Sequence, residues 1–257
     1  YSSAWDPVAG DFGAMPAIYG TIVSSIIAIV IAVPVSFGIA IYLTEMAPAW
    51  LRGPIGTAIE LLASIPSIIY GMWGLFILAP ILSEHVEPML VDYLGFLPLF
   101  SGVPLGIGML PAGFILAIMI IPFISSVTRD VIRMVPPIFK ESGYGVGATK
   151  WEVIWKIVIP FAKSGIIGAV ILGLGRALGE TMAVTFLIGN SHDISLNLLD
   201  PATSISATLA NEFTEAVEDI YLSSLVELGL ILFVITFVVL ALAKLLIARF
   251  SYQGGRR

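Results

Sequence analysis

The sequence of 257 residues contains no cysteine and only two histidines, His85 and His192. Without cysteine there can be no disulfide framework, thiolate nucleophile or cysteine-ligated metal, and two histidines are too few for a multi-histidine metal centre. Charge is also scarce, because 12% of the residues are charged, whereas soluble domains have roughly 25%. A water-exposed globule needs charge to cover its surface, so this composition disfavours a soluble enzyme and a disordered chain.

Basic charge is the scarcer sign. The sequence has 12 Lys and Arg against 18 Asp and Glu, a balance that argues against a nucleic-acid-binding surface. It also lacks the Walker A pattern that holds the phosphates of ATP, so the chain cannot hydrolyse ATP itself. Apolar residues, in contrast, make up 58% of the chain, and its mean hydropathy is +1.01. The sequence therefore predicts an all-α polytopic membrane protein that is not an enzyme and has no metal site.

Five apolar runs are long enough to cross a bilayer, which takes about 20 residues in a helix. The runs are continuous instead of alternating, so they predict helices and not the strands of a barrel. A further apolar segment, Val91 to Pro104, is short and interrupted by proline and glycine, which is typical of a re-entrant or interfacial piece. The five predicted spans are approximately Thr21–Leu43, Ile59–Leu82, Leu105–Val127, Gly165–Gly189 and Leu225–Ala248.

The basic residues predict the orientation of these spans, since cytoplasmic loops carry an excess of Lys and Arg. Eleven of the twelve basic residues fall on one side, at Arg52, in the segment 128–163 and from Lys244 onward. The segments on the other side are acidic. The resulting prediction is an external segment at 1–19, a transmembrane domain at 20–250 with a cytoplasmic loop at 128–163, and a cytoplasmic tail at 251–257.

This topology places residue 1 outside the cell. The chain begins with Tyr and shows no signal-peptide pattern, so an external start needs an exported segment upstream. We therefore expect a further helix before this sequence, which would give the intact protein six spans with both ends in the cytoplasm.

The twelfth basic residue, Arg176, lies inside the fourth predicted span. An arginine at the bilayer centre costs about 2.5–3.5 kcal/mol on the most lenient scale, so it requires a partner or a polar cavity. Glu180 follows four residues later, on the same face of a helix, and Gly175 and Gly179 allow close approach of another backbone. The pair is either a structural ion pair or part of a pathway in which the guanidinium contacts phosphate oxygens and Glu180 is its resting partner.

Three further polar residues could line the same pathway. Thr181 offers a hydroxyl beside the pair, although a helical threonine commonly bonds to the preceding turn instead. Ser67 and Tyr70 lie on the second span and could face the same cavity. The predicted pathway residues are therefore Arg176, Glu180, Thr181, Ser67 and Tyr70.

The cytoplasmic loop combines a glycine turn with an amphipathic pattern. The spacing predicts a short helix before Gly147, a turn at Gly147, and a second helix that stops at Pro160. Taken alone, the pattern is also typical of an interfacial helix that aromatic residues anchor. Four residues of the second helix share one apolar face: Trp151, Ile154, Trp155 and Val158.

The same loop resembles the EAA loop of ABC-importer permeases, the segment that docks on the ATPase subunit. The match rests on Glu141, Gly147 and the ending Ile157-Val158-Ile159-Pro160, while Ser142 and Gly143 stand in place of the two alanines. The resemblance implies that the following residues couple the chain to an ATPase: Glu141, Ser142, Gly143, Gly147, Thr149, Lys150 and Trp151.

Other stretches resemble the PstC-type permeases of phosphate-specific (Pst) ABC importers. These stretches are Gly175–Val184 (GRALGETMAV), Ile65–Gly74 (IPSIIYGMWG), Trp5–Pro7 and Ala40–Glu45. They occur in the family's order and extend the resemblance over about residues 5 to 250. The resemblance implies the type I ABC-importer permease fold, and it implies that the expected upstream helix is the family's first.

The resemblance also implies a function and a set of partners. The chain would be the permease subunit of an ATP-driven importer of inorganic phosphate in the inner membrane, and would form the pathway by alternating access. Its partners would be a PstA-like permease, two PstB-like ATPase subunits and a PstS-like external phosphate-binding protein. The chain itself would carry no cofactor, since ATP and Mg would be bound by the ATPase.

Two alternatives stay open at the level of the sequence. One is a permease for another oxyanion, such as sulfate or molybdate. The other is an ion-coupled carrier in which Arg176 and Glu180 relay protons, although such a carrier needs no docking loop with a glycine turn.

The acidic outer side bears on how an anion approaches. A negative surface repels a free anion, so the substrate would have to be delivered in a shielded state. The acidic loop Ser191–Ser223 is either a docking surface for the protein that delivers it or a plain solvated loop. His85 and His192 lie in loops on this side and are expected to be solvated.

Overall fold

A computed structural model describes residues 5–7 and 9–254 of the chain, with the backbone alone for 246–254. A small antiparallel ribbon, β1 (Trp5–Asp6) and β2 (Asp11–Phe12), precedes the helices. Five helices are long and apolar enough to cross a membrane, which confirms the predicted all-α architecture with five spans. These helices are Met15–Met46, Ser67–Leu94, Met109–Arg133, Lys150–Leu178 and Asp219–Leu245.

The first and third spans form the centre of the protein. Helix α1 (Met15–Ile41) continues through a π-helical turn (Tyr42–Met46) and lies along α6 (Met109–Arg133). The two backbones approach closely at Gly113, where a β-carbon would come within 2.6 Å of Ile27. Most α6 side chains are buried, so this helix is the core around which the others pack.

The second span differs from the prediction. The predicted run Ile59–Leu82 is not one helix, because the chain breaks at Ser64–Pro66. Proline has no N–H to donate, and it disfavours helical backbone at the preceding residue, here Ile65. The break separates α2 (Ala49–Ala63) from α3 (Ser67–Trp73), a π-helical turn (Gly74–Leu78), α4 (Ala79–Ile81), a second π-helical turn (Leu82–Val86) and α5 (Glu87–Leu94).

The segment predicted as re-entrant or interfacial, 91–104, divides into two parts. Its first residues end helix α5, and the rest forms an outer loop with one 3₁₀ turn (Pro98–Phe100). The loop is held by backbone bonds, in which Leu198 N donates to Leu99 O (2.9 Å) and Leu110 N donates to Leu198 O (2.8 Å). The segment therefore joins the second and third spans and packs on the outer loop that follows the fourth.

The fourth span begins within the loop 128–163, for which a cytoplasmic position was predicted. Helix α7 (Pro137–Gly145) is followed by a continuous helix made of α8 (Lys150–Val153), a π-helical turn (Ile154–Val158) and α9 (Ile159–Leu178). The predicted stop at Pro160 is therefore wrong. The π-helical turn allows the proline, because Pro160 occupies the start of a new α-helical segment, where its missing N–H costs little.

The fourth span also ends earlier than predicted. The run Gly165–Gly189 predicted one helix, but α9 ends at Leu178, and Gly179 is the residue that caps it. The chain then forms the short helix α10 (Met182–Thr185), a long, partly buried loop, and α11 (Ile205–Glu212). The last helix, α12 (Asp219–Gly254), lies at the edge of the protein, and its described apolar side chains are largely exposed.

The acidic loop Ser191–Ser223, for which a docking surface and a plain solvated loop were the two alternatives, is partly buried and partly exposed. Leu187, Ile188 and Leu199 belong to the buried core. Thr21 on α1 accepts a hydrogen bond from Ile205 N (2.9 Å), and Tyr19 donates to Ser195 O (2.8 Å). Exposed residues are concentrated after α11, from 213 to 220, and Asp193 before α11 is exposed as well.

Candidate functional site

Arg176 lies in the last turn of α9, with its side chain exposed on the surface of the described chain. Its guanidinium carbon is 5.7 Å from the centroid of the Phe123 ring, a cation–π contact. Phe123 is near the middle of α6, and the adjacent Ile124 packs against Gly173 of α9. Arg176 is therefore level with the middle of α6, even though it is close to the end of α9.

Glu180 does not pair with Arg176. Its carboxylate accepts a hydrogen bond from Ala183 N (3.3 Å), and its carbonyl accepts one from Ser206 (2.7 Å). The predicted contact assumed a continuous helix, but α9 ends at Leu178, so the i, i+4 geometry does not apply. Within the part of the chain that the structure describes, Arg176 forms no ion pair.

The surroundings of Arg176 exclude a lipid-facing position. An unpaired arginine costs several kcal/mol in hydrocarbon, and the irregular backbone after Leu178 has polar groups that lipid cannot satisfy. The negative end of the α9 dipole stabilises the guanidinium but does not provide hydrogen-bond acceptors for its N–H groups. This face of α9 must therefore be covered by protein or line a polar cavity.

The other predicted pathway residues lie on the elements around this break. Tyr70 is buried, and its hydroxyl donates to Leu62 O (2.9 Å) across the interruption between α2 and α3. The hydroxyl is within electrostatic reach of Arg176. Ser67 and Thr181 are half-buried, at the start of α3 and just before α10. The structure thus gathers the predicted residues at two helix interruptions, without direct contact between Arg176 and Glu180.

Helices α3 and α10 are packed tightly together. A β-carbon at Gly71 would lie 2.6 Å from the Phe186 ring and 3.0 Å from Met182 O. A cavity of about 280 Å³ opens between α3 and α6, and its lining is apolar: Ile65, Ile69, Tyr70, Trp73 and Ile118. Any tilt of α3 is therefore transmitted directly to α10 and to the residues before it.

The loop 128–163 folds as a helix, a turn and a second helix, as predicted. Gly147 has φ +83°, a left-handed conformation that glycine adopts without strain. Thr149 caps the next helix, since its hydroxyl accepts from Glu152 N (3.3 Å) and Glu152 accepts from Thr149 N (2.9 Å). This capping box satisfies the first donors of the helix and fixes the direction in which Lys150 and Trp151 project.

Most of the predicted coupling residues form an exposed surface. Glu141, Ser142 and Lys150 are exposed. Gly143 is buried, because a β-carbon there would come within 2.6 Å of Ile157. The departure from alanine at that position thus permits close packing of α7 on the helix that follows.

The predicted apolar face of the second loop helix is only partly correct. Ile154 and Val158 are buried against the cytoplasmic ends of α1 and α6. Trp151 and Trp155, however, are 58% and 46% exposed, with ring centroids 5.4 Å apart. The two indoles form an exposed apolar patch.

Two ion pairs were not predicted from the sequence. Lys140 of α7 binds Glu45 (Nζ to Oε1, 2.5 Å), and Arg129 of α6 binds Glu60 of α2. The partners are 95 and 69 residues apart. No local spacing rule relates residues at such separations, so only the folded structure could pair them.

His192, expected to be solvated, instead belongs to an outer cluster. Glu212 accepts hydrogen bonds from Trp5 (2.8 Å) and Tyr221 (2.6 Å) and contacts His192 Nε2 (2.9 Å). Burial alone would raise the pKa of Glu212, but the hydrogen bonds from these three residues outweigh it and lower that pKa. The cluster joins β1, the loop after α10, and α12.

Glu212→Ala is expected to lower the free energy of unfolding by about 1–3 kcal/mol, because the part-buried donors of Trp5 and Tyr221 lose their acceptor. Since folding lowers the pKa of Glu212, its stabilisation is complete above the usual value of 4.5 and is lost as pH falls through the folded-state pKa. Thermal unfolding at pH 7 and at pH 4 checks this. The exposed control Glu215→Ala should have little effect; equal losses for both variants would contradict the cluster.

Comparison with known proteins agrees with this architecture. Residues 32–252 match the family described as "Binding-protein-dependent transport system inner membrane component". The chain is 58% identical to the phosphate transport system permease protein PstC of Pasteurella multocida (strain Pm70), over 98% of this chain and 80% of that protein. It is 59% identical to the protein of the same name from Xylella fastidiosa (strain 9a5c), over 99% of this chain and 80% of that protein.

A solved structure shows the same fold at low sequence identity. It is a bacterial alginate ABC transporter in complex with an alginate pentasaccharide-bound periplasmic protein. The TM-score is 0.63 at 18% identity, and the alignment covers 92% of this chain and 78% of that chain. The fold is therefore that of a type I ABC-importer permease, and the chain belongs to the PstC family of binding-protein-dependent inner-membrane permeases.

Proposed function

We propose that this chain is the permease subunit of an ATP-driven importer of inorganic phosphate and forms part of the translocation pathway by alternating access. The observation that carries the proposal is Arg176, an exposed guanidinium level with the middle of α6, with no ion pair in the described chain. The relatives, which are named phosphate transport permeases, support phosphate as the anion.

Arg176 would bind the phosphate directly. Its planar fork can donate two parallel hydrogen bonds to phosphate oxygens, and among the residues that the structure describes no carboxylate pairs with it. Glu180 would act differently from the resting partner first expected, because it accepts from Ala183 N and so fixes the start of α10. Thr181, Ser67 and Tyr70 would contribute hydroxyls around the same break.

The partners of the proposed importer follow from its exposed surfaces. A PstA-like permease would cover the face of α9 that carries Arg176. Two PstB-like ATPase subunits, which would hold ATP and Mg, would receive the surface around Glu141, Lys150 and Trp151. A PstS-like binding protein would dock outside; the alginate transporter, solved with a periplasmic protein, supports a partner at that position.

The two alternatives differ in their support. A guanidinium fork also fits sulfate, so selectivity for phosphate has to be measured. The proton-relay carrier loses its main support, since Arg176 and Glu180 do not contact each other.

Co-purification with the partner subunits, followed by measurement of ATPase activity, tests the proposal. The binding protein loaded with phosphate should stimulate ATP hydrolysis, and the binding protein incubated with sulfate should not.

The proposed orientation places the loop 128–163 in the cytoplasm. The chain contains no cysteine, so single cysteines report accessibility without background. Val217→Cys, which replaces a residue 93% exposed, should react with an impermeant maleimide added outside, and Ser142→Cys should react only after the membrane is opened. Reaction of Ser142→Cys from outside would reverse the orientation.

A further inference from the structure

We infer that the Lys140–Glu45 ion pair transmits movement of the cytoplasmic coupling segment (128–163) to the membrane helices, and that α2 carries this movement to the residues around Arg176. Lys140 and Glu45 would thus be positioning residues for transport. The inference rests on the proposed function and adds to it the physical connection between the ATPase surface and the substrate site.

The ion pair joins the coupling segment to the end of the first span. Lys140 precedes the exposed Glu141 on α7, and it turns inward to meet Glu45 in the π-helical turn Tyr42–Met46. The two side chains are only 23% and 8% exposed. A charge pair so little exposed to water is strongly coupled, and removing one partner leaves the other charge uncompensated. The contact can therefore transmit a displacement.

The turn that contains Glu45 leads into α2, a helix that packs on the rest of the protein along one face only. Ala47 and Pro48 are extended, with ψ of 144° and 151°, and α2 begins immediately afterwards. Arg52 in its first turn donates back to Ala47 O (2.8 Å). Within α2, Gly56 alone is buried, where the Arg129 guanidinium packs against it. Helix α2 is thus attached along one narrow face, between two breaks in the chain.

The far end of α2 reaches the substrate site. Tyr70 donates to Leu62 O (2.9 Å) across the Ser64–Pro66 break, so a shift of the last turn of α2 also moves α3. Helix α3 packs on α10 through Gly71 and Phe186, and α10 begins directly after Thr181. Rigid elements in contact, separated by two interruptions, therefore connect Lys140 to the surroundings of Arg176.

The test uses the complete importer in proteoliposomes and measures phosphate ions taken up per ATP hydrolysed. Glu45→Gln and Lys140→Gln should lower this ratio at least about fivefold, a typical size for coupling between sites, while ATP hydrolysis continues. The exchange variant Glu45→Lys with Lys140→Glu should recover most of the ratio. Lys244→Gln, which removes an exposed cytoplasmic charge on α12, is the matched control and should keep the wild-type ratio.

Each result decides the inference. A wild-type ratio in both single variants overturns it, and so does an exchange variant that assembles but transports no better than the single variants. Failure of both single variants to assemble would make the pair a folding contact only, which also overturns it. If the wild-type importer shows no ATP-dependent phosphate uptake, in contrast, the proposed function itself is contradicted. This result is obtained before any variant is compared.

Discussion

Arg176→Gln is expected to reduce ATP-driven phosphate uptake at least about 30-fold, while the importer still assembles. Loss of one partner of a desolvated, hydrogen-bonded charge pair costs about 2–5 kcal/mol, and each 1.4 kcal/mol is about tenfold in an equilibrium. Glutamine keeps a similar length but has neither the charge nor the two parallel donors. Uptake of radioactive phosphate into cells that lack the native permease measures the effect.

Two companion variants separate phosphate binding from structural support. Arg176→Lys should recover little uptake, because an ammonium is a point charge and cannot reproduce the bidentate fork. Arg133→Gln is the matched control: its side chain is half exposed and close to Asp130 at the cytoplasmic end of α6, so uptake should stay near wild type. Full uptake by an assembled Arg176→Gln importer would contradict the site while leaving the family assignment unchanged.

Gly147→Pro and Glu141→Lys are expected to abolish phosphate uptake without disturbing the membrane helices. Proline fixes φ near −65°, whereas Gly147 has φ +83°, and proline also removes the bond from Gly147 N to Tyr144 O (3.0 Å). The turn would open, and α7 would lose its position beside Trp151. Glu141→Lys reverses one charge on the exposed surface, so it tests docking without altering the turn.

A pair of alanine variants isolates the turn itself. No atom lies within 4 Å of a β-carbon at either Gly145 or Gly147, so only backbone strain distinguishes the two positions. Gly147→Ala should cost about 1–2 kcal/mol, the penalty of left-handed backbone for an L-residue, and should impair coupling. Gly145→Ala, in a helix, should be neutral or slightly stabilising. Wild-type phosphate uptake by both Glu141→Lys and Gly147→Pro would contradict the assignment of the coupling surface to this loop.

The sequence predicted the architecture well because bilayer thickness imposes long apolar runs. The predicted helix ends were wrong where the effect of a proline or glycine depends on the residues around it. Pro66 broke the second span, whereas Pro160 was accommodated by a π-helical turn. Both prolines interrupt similar apolar patterns, and only the neighbouring hydrogen bonds determine whether the helix ends or continues.

The candidate site was predicted in composition but not in geometry. The lone Arg176 could be found from the cost of its charge in a membrane. Its separation from Glu180 could not, because the predicted contact depended on helix continuity past Leu178. The Lys140–Glu45 and Arg129–Glu60 pairs lay beyond any local rule, since tertiary packing alone brings those residues together.

The most direct test of the central claim is transport by the purified importer. The chain, a PstA-like permease and PstB-like ATPase subunits are placed in proteoliposomes with ATP enclosed, and the PstS-like binding protein is added outside with radioactive phosphate. The account predicts phosphate accumulation that requires both ATP and the binding protein and that excess sulfate does not reduce. Accumulation without ATP, or equal accumulation of sulfate, would contradict it.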